Sequence, residues 1–369
     1  MSPRLTYLDW NATAPVLPEV AAAMGEWLGR CGNASSVHRF GREARQAVEA
    51  ARRGVAALVD APADYVTFTG SGTEANQMVL HGVAGRRLVS SIEHDSLRAG
   101  AEVELIPARA DGTVDLEALK RMLGAGAAPA LVSIMLANNE TGVVQPVAEA
   151  ARLAHEKGAL FHADAVQAAG KLPLDLRALG ADMLTLSAHK IGGPQGVGAL
   201  IALPDLQLVP LVRGGGQERG RRAGTENVAG IVGFGIAARL AAARLADAAS
   251  IAALRDEAQR RLLSIAPDAR VFGADARRVP NTLLIAMPRV PATTQVMALD
   301  LAGVMVSAGA ACSSGKLRRS PVLEAMGVAA EEADCAIRIS LGSSTTSSDI
   351  DHLVEAWGAL YARTRANAA

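Results

Sequence analysis

The chain has 369 residues, enough to bury a large core and more than a single domain usually holds, so two domains are expected. Lys plus Arg and Asp plus Glu balance at 37 each, and nothing in that zero formal charge calls for nucleic acid or an anionic membrane. Half the residues are hydrophobic, with Ala and Gly abundant and aromatics scarce, which excludes a disordered chain and suits helices packed closely on a sheet.

The N-terminus, Met1-Ser2-Pro3-Arg4-Leu5, carries no apolar stretch of the signal-peptide kind. The longest apolar runs are short or interrupted by arginine, as at Arg239 and Arg244, so a soluble cytoplasmic protein is expected. Cys31, Cys312 and Cys335 are too widely spaced for a metal-ligand pattern or a disulfide framework.

Residues 4–13 read as a short strand running into a turn, and a helical pattern follows to about Arg30. Residues 31–41 form a loop of small and polar residues, and 42–59 return to helical periodicity. From residue 65 the pattern alternates. Strands are predicted at 65–69, 87–91, 103–107, 130–136, 160–163, 181–186 and 197–203, with helices after residue 72 and over 116–123 and 147–157. Such alternation with short connections predicts the α/β class: a mostly parallel sheet between helices, with ligands at the carboxyl ends of the strands. Near residue 228 an Ala-rich helical run begins and continues to about Leu263. Short strands at 281–286, 304–306 and 336–341 and helices at 294–301, 321–326 and 349–363 then predict a smaller α+β domain. The expected division is a large domain over 14–247 and a small one from 1–13 and 248–369.

The strand at 181–186 opens into Ser187-Ala188-His189-Lys190-Ile191-Gly192-Gly193-Pro194. A lysine at the mouth of a strand, with little bulk beside it, is either a solvated loop residue or a Schiff-base lysine. Gly70-Ser71-Gly72-Thr73 lies between a strand and a helix, where exposed amides and a hydroxyl make a phosphate cup or a plain capping turn. No lysine follows it, so it is not a Walker loop. Asp164 ends a strand in an apolar setting, where a carboxylate is costly unless it meets a cation or caps a helix. His94 and Asn139 also sit just past predicted strands; the first can stack on a ring or relay a proton, and the second can donate to a ring hydroxyl or shape its turn. Together these groups match what pyridoxal phosphate (PLP) needs, since a carboxylate at the pyridine nitrogen makes its ring an electron sink.

Three further stretches bear on chemistry. The basic, glycine-rich loop from Arg213 to Thr225 lacks the aromatics of a nucleic-acid patch and suits a phosphate contact, across a subunit interface as one option. Ser307-Ala308-Gly309-Ala310-Ala311-Cys312-Ser313-Ser314-Gly315-Lys316 places a thiol among tiny residues, which predicts an exposed cysteine on a mobile loop. Lys316, Arg318 and Arg319 favour its thiolate, while Cys335 and Cys31 read as spectators. Arg338, a charge inside a β-branched run, either faces water or grips a carboxylate with its planar fork.

These residues, with Tyr7-Leu8-Asp9-Trp10-Asn11-Ala12-Thr13 at one end and Thr345-Thr346 at the other, resemble the cysteine desulfurases, PLP enzymes of the class V aminotransferase family. The resemblance implies the PLP-dependent fold type I and a homodimer. It assigns Lys190 to the cofactor aldehyde; Gly72, Thr73, Ser187 and His189 to its phosphate; and Thr225 to the phosphate of the neighbouring subunit. It places His94 over the ring, Asp164 at its nitrogen, and Asn139 and Gln167 at its hydroxyl. Arg338 with Asn33 matches the substrate-carboxylate site, and Cys312 the persulfide carrier, in a setting like the long-loop group that serves iron–sulfur cluster assembly or nitrogenase maturation. The implied reaction takes sulfur from L-cysteine, leaving L-alanine and a persulfide on Cys312, with Lys190 or His94 moving the Cα proton and an iron–sulfur scaffold as sulfur acceptor. The alternatives are another PLP enzyme, such as an aminotransferase or selenocysteine lyase, or a non-catalytic assembly partner that binds PLP poorly. An NAD-binding protein is disfavoured because Gly70-Ser71-Gly72 lacks the fingerprint spacing.

Overall fold

A computed structural model describes residues 4–99, 102–309 and 319–366. Its main sheet has seven strands, in spatial order Val66–Thr69, Gly198–Ala202, Met183–Ser187, Leu160–Asp164, Leu131–Ser133, Arg87–Ser90 and Glu104–Ile106. All neighbouring pairs are parallel except those made by Gly198–Ala202, which runs against both its neighbours. The reason is connection length. Only ten residues separate Ser187 from Gly198, enough to turn the chain back but too few for the crossover a parallel partner needs. The other strands feed their carboxyl ends to one edge of the sheet, and every residue predicted to bind the cofactor, apart from Thr225, follows or ends one of them.

Helices cover both faces, as a mostly parallel sheet requires. On one face Phe161, Leu184 and Ile201 pack with Val48, Val55, Ile231 and Phe234; on the other Val89, Leu131, Met183 and Leu200 pack with Met78, Val79 and Leu80. The abundance of Ala and Gly has a packing cause. Helices Arg39–Leu58 and Val228–Arg244 approach so closely that a Cβ on Gly235 would lie 2.4 Å from the Ala51 Cα, and one on Gly54 would lie 2.7 Å from the Gly235 carbonyl oxygen.

A second sheet is antiparallel, in the order Ser307–Ala308, Ala336–Ser340, Thr282–Ala286 and Arg270–Val271. Helices Ala248–Ile265, Ala292–Leu301 and Ser347–Ala366 cover it around the buried Trp357, whose indole N–H donates to Gln295. The amino-terminal segment joins this lobe: Thr6–Tyr7 pairs in parallel with Val304–Met305, and Asp9 bridges to Ser340.

Two expectations change in detail. The Ala-rich run is two α-helices, broken by a 3-10 turn at Leu245–Asp247 where the chain passes from one core to the other. The stretch Val228–Ile265 is long and apolar enough to cross a membrane by length and composition, and half of its most apolar window is buried inside the fold. The strand expected over 304–306 ends at Met305 and pairs with Thr6–Tyr7, and a separate strand, Ser307–Ala308, follows it and joins the antiparallel sheet. Arg270–Val271 escapes prediction because two residues show no period.

Candidate functional site

The carboxyl edge of the main sheet opens into a cavity of about 470 Å³. Gly72, Thr73, His94, Asn139, Asp164, Gln167, Ser187, His189 and Lys190 all line it. Nine positions spread over more than a hundred residues thus meet around one space.

Lys190 ends the short 3-10 turn Ala188–Lys190 that follows Met183–Ser187 directly. Its ammonium donates to the carbonyl oxygens of Asn11, at 2.6 Å, and Ala12, at 2.8 Å. Gly192 turns the chain away with φ +84°, and a Cβ there would meet the Leu17 side chain at 2.7 Å. Two neighbours titrate abnormally because they share this crowded ground. Burial, then the charge of Lys190, lowers His189 to about 4, so its ring is neutral at pH 7. Burial, then Lys190 and Arg338, push the Lys171 amine well below the ordinary lysine range.

Asp164, at the end of Leu160–Asp164, is held by donors on both oxygens. The Val166 N–H reaches Oδ1 at 2.9 Å, and the Asn76 amide reaches Oδ2 at 2.8 Å. The same Asn76 nitrogen donates to Ser96 Oγ at 2.9 Å, and Ser96 meets His94 Nδ1 through its hydroxyl, at 2.8 Å, and its N–H, at 3.1 Å. Because the Ser96 N–H donates to Nδ1, the neutral ring of His94 carries its proton on Nε2. A continuous chain of hydrogen bonds therefore runs from the carboxylate to the imidazole. Beneath it Glu93 is fully buried and accepts from the Met135 N–H; burial, with the charge of Asp164 adding to it, pushes this carboxyl well above the usual range.

The glycine-rich turn is a helix start. Ser71 caps helix Gly72–Gly82 by accepting from the Glu74 N–H, and Glu74 reaches back to the Gly70 N–H at 2.7 Å. The amides of Gly72 and Thr73 belong to the first turn, which has no partners within a helix. A Cβ on Gly72 would stand 3.2 Å from Val166 and 3.3 Å from Ser187, a tight fit that would narrow this mouth.

The remaining predicted residues lie elsewhere. Thr225 lines a separate cleft of about 110 Å³ with Arg222 and Glu226. Asn33 is exposed, and its side chain accepts from the Ser35 N–H, away from the cavity lining. Arg338 is wholly buried behind the wall: Nη1 donates to the Asn139 carbonyl at 3.0 Å and Nη2 to Asp9 Oδ1 at 2.9 Å. Cys312, Lys316 and Arg318 lie outside the described residues, so only the flanks of that segment are described. Gly309 donates to the Ala336 carbonyl on one side, and Ser320 donates to Glu140 on the other. Arg319 pairs with Asp334. Cys335 is buried, which raises its thiol pKa, whereas Cys31 is exposed.

Sequence reading passed over four residues of this site. Asn76 and Ser96 are two, and Asn11 and Lys171 the others. Asn11 accepts from Lys190 and Gln167 on its carbonyl and from Lys171 and Asn281 on its side chain. Lys171 also donates to Gln167 Oε1 at 2.7 Å, while the Gln167 amide nitrogen donates to the Asn11 carbonyl at 3.0 Å. The one local signal was spacing: Lys171 stands four residues after Gln167, and Ser96 two after His94.

The description of the class V aminotransferases matches residues 6–353. The chain is 46% identical to a cysteine desulfurase from Cereibacter sphaeroides over 366 residues, which is 95% of this chain and 94% of that protein. A NifS-like protein from Rickettsia africae has a similar structure, with TM-score 0.90 and 36% identity over 97% of this chain and 99% of that one. SspA in complex with cysteine aligns with TM-score 0.77 and 28% identity over 91% and 98% of the two chains. This chain belongs to the class V aminotransferase family and, within it, to the cysteine desulfurases.

Proposed function

We propose that this protein removes sulfur from L-cysteine, releasing L-alanine and taking the sulfur onto Cys312 as a persulfide, with PLP as its cofactor. The observation that carries the reading is that Lys190, Asp164 and His94 line one cavity. The residues present fit the cofactor. Asp164 accepts hydrogen bonds on both oxygens, which fixes the orientation of a carboxyl group suited to a pyridinium nitrogen. The helix start at Gly72 and Thr73, with Ser187 and His189 beside it, suits a phosphate. Gln167 and Asn139 offer amides for a ring hydroxyl. When bound at Lys190, PLP supplies an electron sink that loosens bonds at the substrate Cα.

The chain's own groups divide the remaining work. Lys190 receives the proton that leaves the substrate Cα, and His94, with its proton on Nε2, serves proton movement at the departing sulfur. The Cys312 thiolate attacks the substrate sulfur: the S–S bond forms as the Cβ–S bond breaks, and the electron pair left on Cβ takes a proton to give alanine. Arg338 holds the substrate carboxylate. The protein works as a homodimer in which Thr225 faces the phosphate site of the neighbouring subunit, and an iron–sulfur scaffold protein accepts the sulfur. Residues 14–247 form the larger domain, and 1–13 with 248–369 the smaller; the largest core lies almost wholly in the first and the core around Trp357 in the second, while a smaller cluster of Ile92, Phe272, Leu284 and Ala286 joins them.

The test is product release from L-cysteine in the presence of a reducing thiol. The wild type should give sulfide and alanine in equal amounts. Cys312→Ser should bind PLP yet release no sulfide. Full activity in that variant removes Cys312 from the reaction, and formation of a keto acid in place of alanine would instead indicate an aminotransferase.

A further inference from the structure

The Asp9–Arg338 pair has three unusual features. Arg338 lies on the central strand of the small sheet with no exposure, while the Asp9 side chain is 18% exposed, so the carboxylate is the outward face of the pair. The contact is one-sided. Asp9 gives Oδ1 to Nη2 and commits Oδ2 to the Ser307 hydroxyl at 2.6 Å. The buried Nε of Arg338 has no partner among the described residues. A carboxylate binds a guanidinium best through two parallel N–H bonds, and an unpaired buried N–H is costly. The Nε–Nη2 edge is therefore half used. The Nη1 edge ends on the carbonyl of Asn139, a residue that itself lines the cavity, so the guanidinium sits one residue behind the wall.

We propose that Asp9 is an internal stand-in for the substrate α-carboxylate, holding Arg338 until the substrate displaces it. This rests on the reading of Arg338 as the substrate-carboxylate residue. The exchange replaces one carboxylate by another, so the charge around the buried arginine is unchanged. The incoming group gains the Nε–Nη2 edge, and Asp9 keeps its Ser307 bond as it turns toward water. Asp9 then acts on specificity: a ligand with no carboxylate, such as cysteamine, leaves the pair closed. It also lowers affinity, because the substrate meets an open Arg338 in only a fraction of molecules.

Asp9→Asn tests this in the PLP-loaded enzyme, since it keeps an oxygen for Arg338 and removes the competing charge. The KM for L-cysteine should fall roughly fivefold, with a smaller change in kcat. L-Alanine, the product, should bind more tightly by a similar factor in a calorimetric titration, a reading independent of turnover. Asp9→Ser, which also lacks the charge, should move both values the same way and serves if Asp9→Asn does not fold. A higher or unchanged KM with weaker alanine binding in both variants would make Asp9 a purely structural prop and overturn the proposal. Arg338→Gln separates the two levels: it should raise KM, and if it does not, the assignment of Arg338 itself fails.

Discussion

The two walls of the cavity are built differently. The wall from the main sheet consists of strand ends and the turns that follow them, and its polar groups hold one another: Asp164 is fixed by Val166 and Asn76, Asn76 by Ser96, and Ser96 by His94. Toward the small lobe, Asn139 lines the cavity and Asp9 and Arg338 stand behind it; the three come from distant parts of the chain and meet through a one-sided ion pair that leaves Nε without a partner among the described residues. A fixed wall suits a resident cofactor, whose groups must keep their orientation through every turnover. A wall with an exchangeable contact suits a substrate that must arrive and leave.

That contrast breaks most readily at Gly198. A Cβ there would lie 2.4 Å from the Ser71 carbonyl carbon and 2.7 Å from the Gly72 nitrogen, within the backbone of the phosphate cup. Gly198→Ala should destabilise the protein by about 3 kcal/mol, through overpacking against a backbone that cannot yield. Urea unfolding measures the loss, and a change below about 0.5 kcal/mol would show that the wall gives way easily. Asn76→Ala is the next largest. Removing the shared donor should lower kcat roughly tenfold or more while KM moves less, and should shift the absorbance of the bound cofactor. If KM alone changed, the fixed-wall description would fail.

A smaller effect is a pH dependence confined to the main-sheet side. Burial lowers His162, bonded to Ser133 and Thr185, to about 3, and His189 to about 4, both against 6.5 for a free histidine. Between those values the unfolded chain takes up protons that the folded chain refuses. The contribution of these two histidines is therefore intact above about pH 6.5 and lost as the pH drops toward 4, opposite in sign to that of Glu93, whose raised carboxyl favours the folded state as it protonates. Thermal melting from pH 7 to 4.5 should show this decline, and His162→Gln should flatten it. An unchanged slope in that variant would place the acid sensitivity elsewhere.

Much of the main-sheet wall was legible in the sequence. Lys190, Asp164, His94 and Gly72 each follow or end a run of apolar residues, and strand ends are where an α/β sheet gathers its ligands. What stayed hidden depends on separation along the chain. Asn76 and Asp164 stand 88 residues apart, and Asp9 and Arg338 329 apart, so no local pattern announces either contact. The reversed strand Gly198–Ala202 does not announce its direction in its own residues, because a strand buried on both faces reads alike either way; only the ten-residue connection before it does. The helix break at Leu245–Asp247 falls in a run dominated by Ala, Leu and Arg, which favour helix, and the passage between two cores accounts for it.

The most direct measurement concerns the two lysines around Asn11. Lys190 and Lys171 both donate to this one residue, but only Lys190 lines the larger cavity with Asp164. Loading the protein with PLP, reducing it with borohydride and mapping its peptides by mass spectrometry shows which amine holds the cofactor. The expected result is a pyridoxyl group on Lys190 alone, absent from Lys190→Ala. A mark on Lys171 in the wild type, or no mark on either lysine, would contradict a site in which Lys190 and Asp164 serve the same ring.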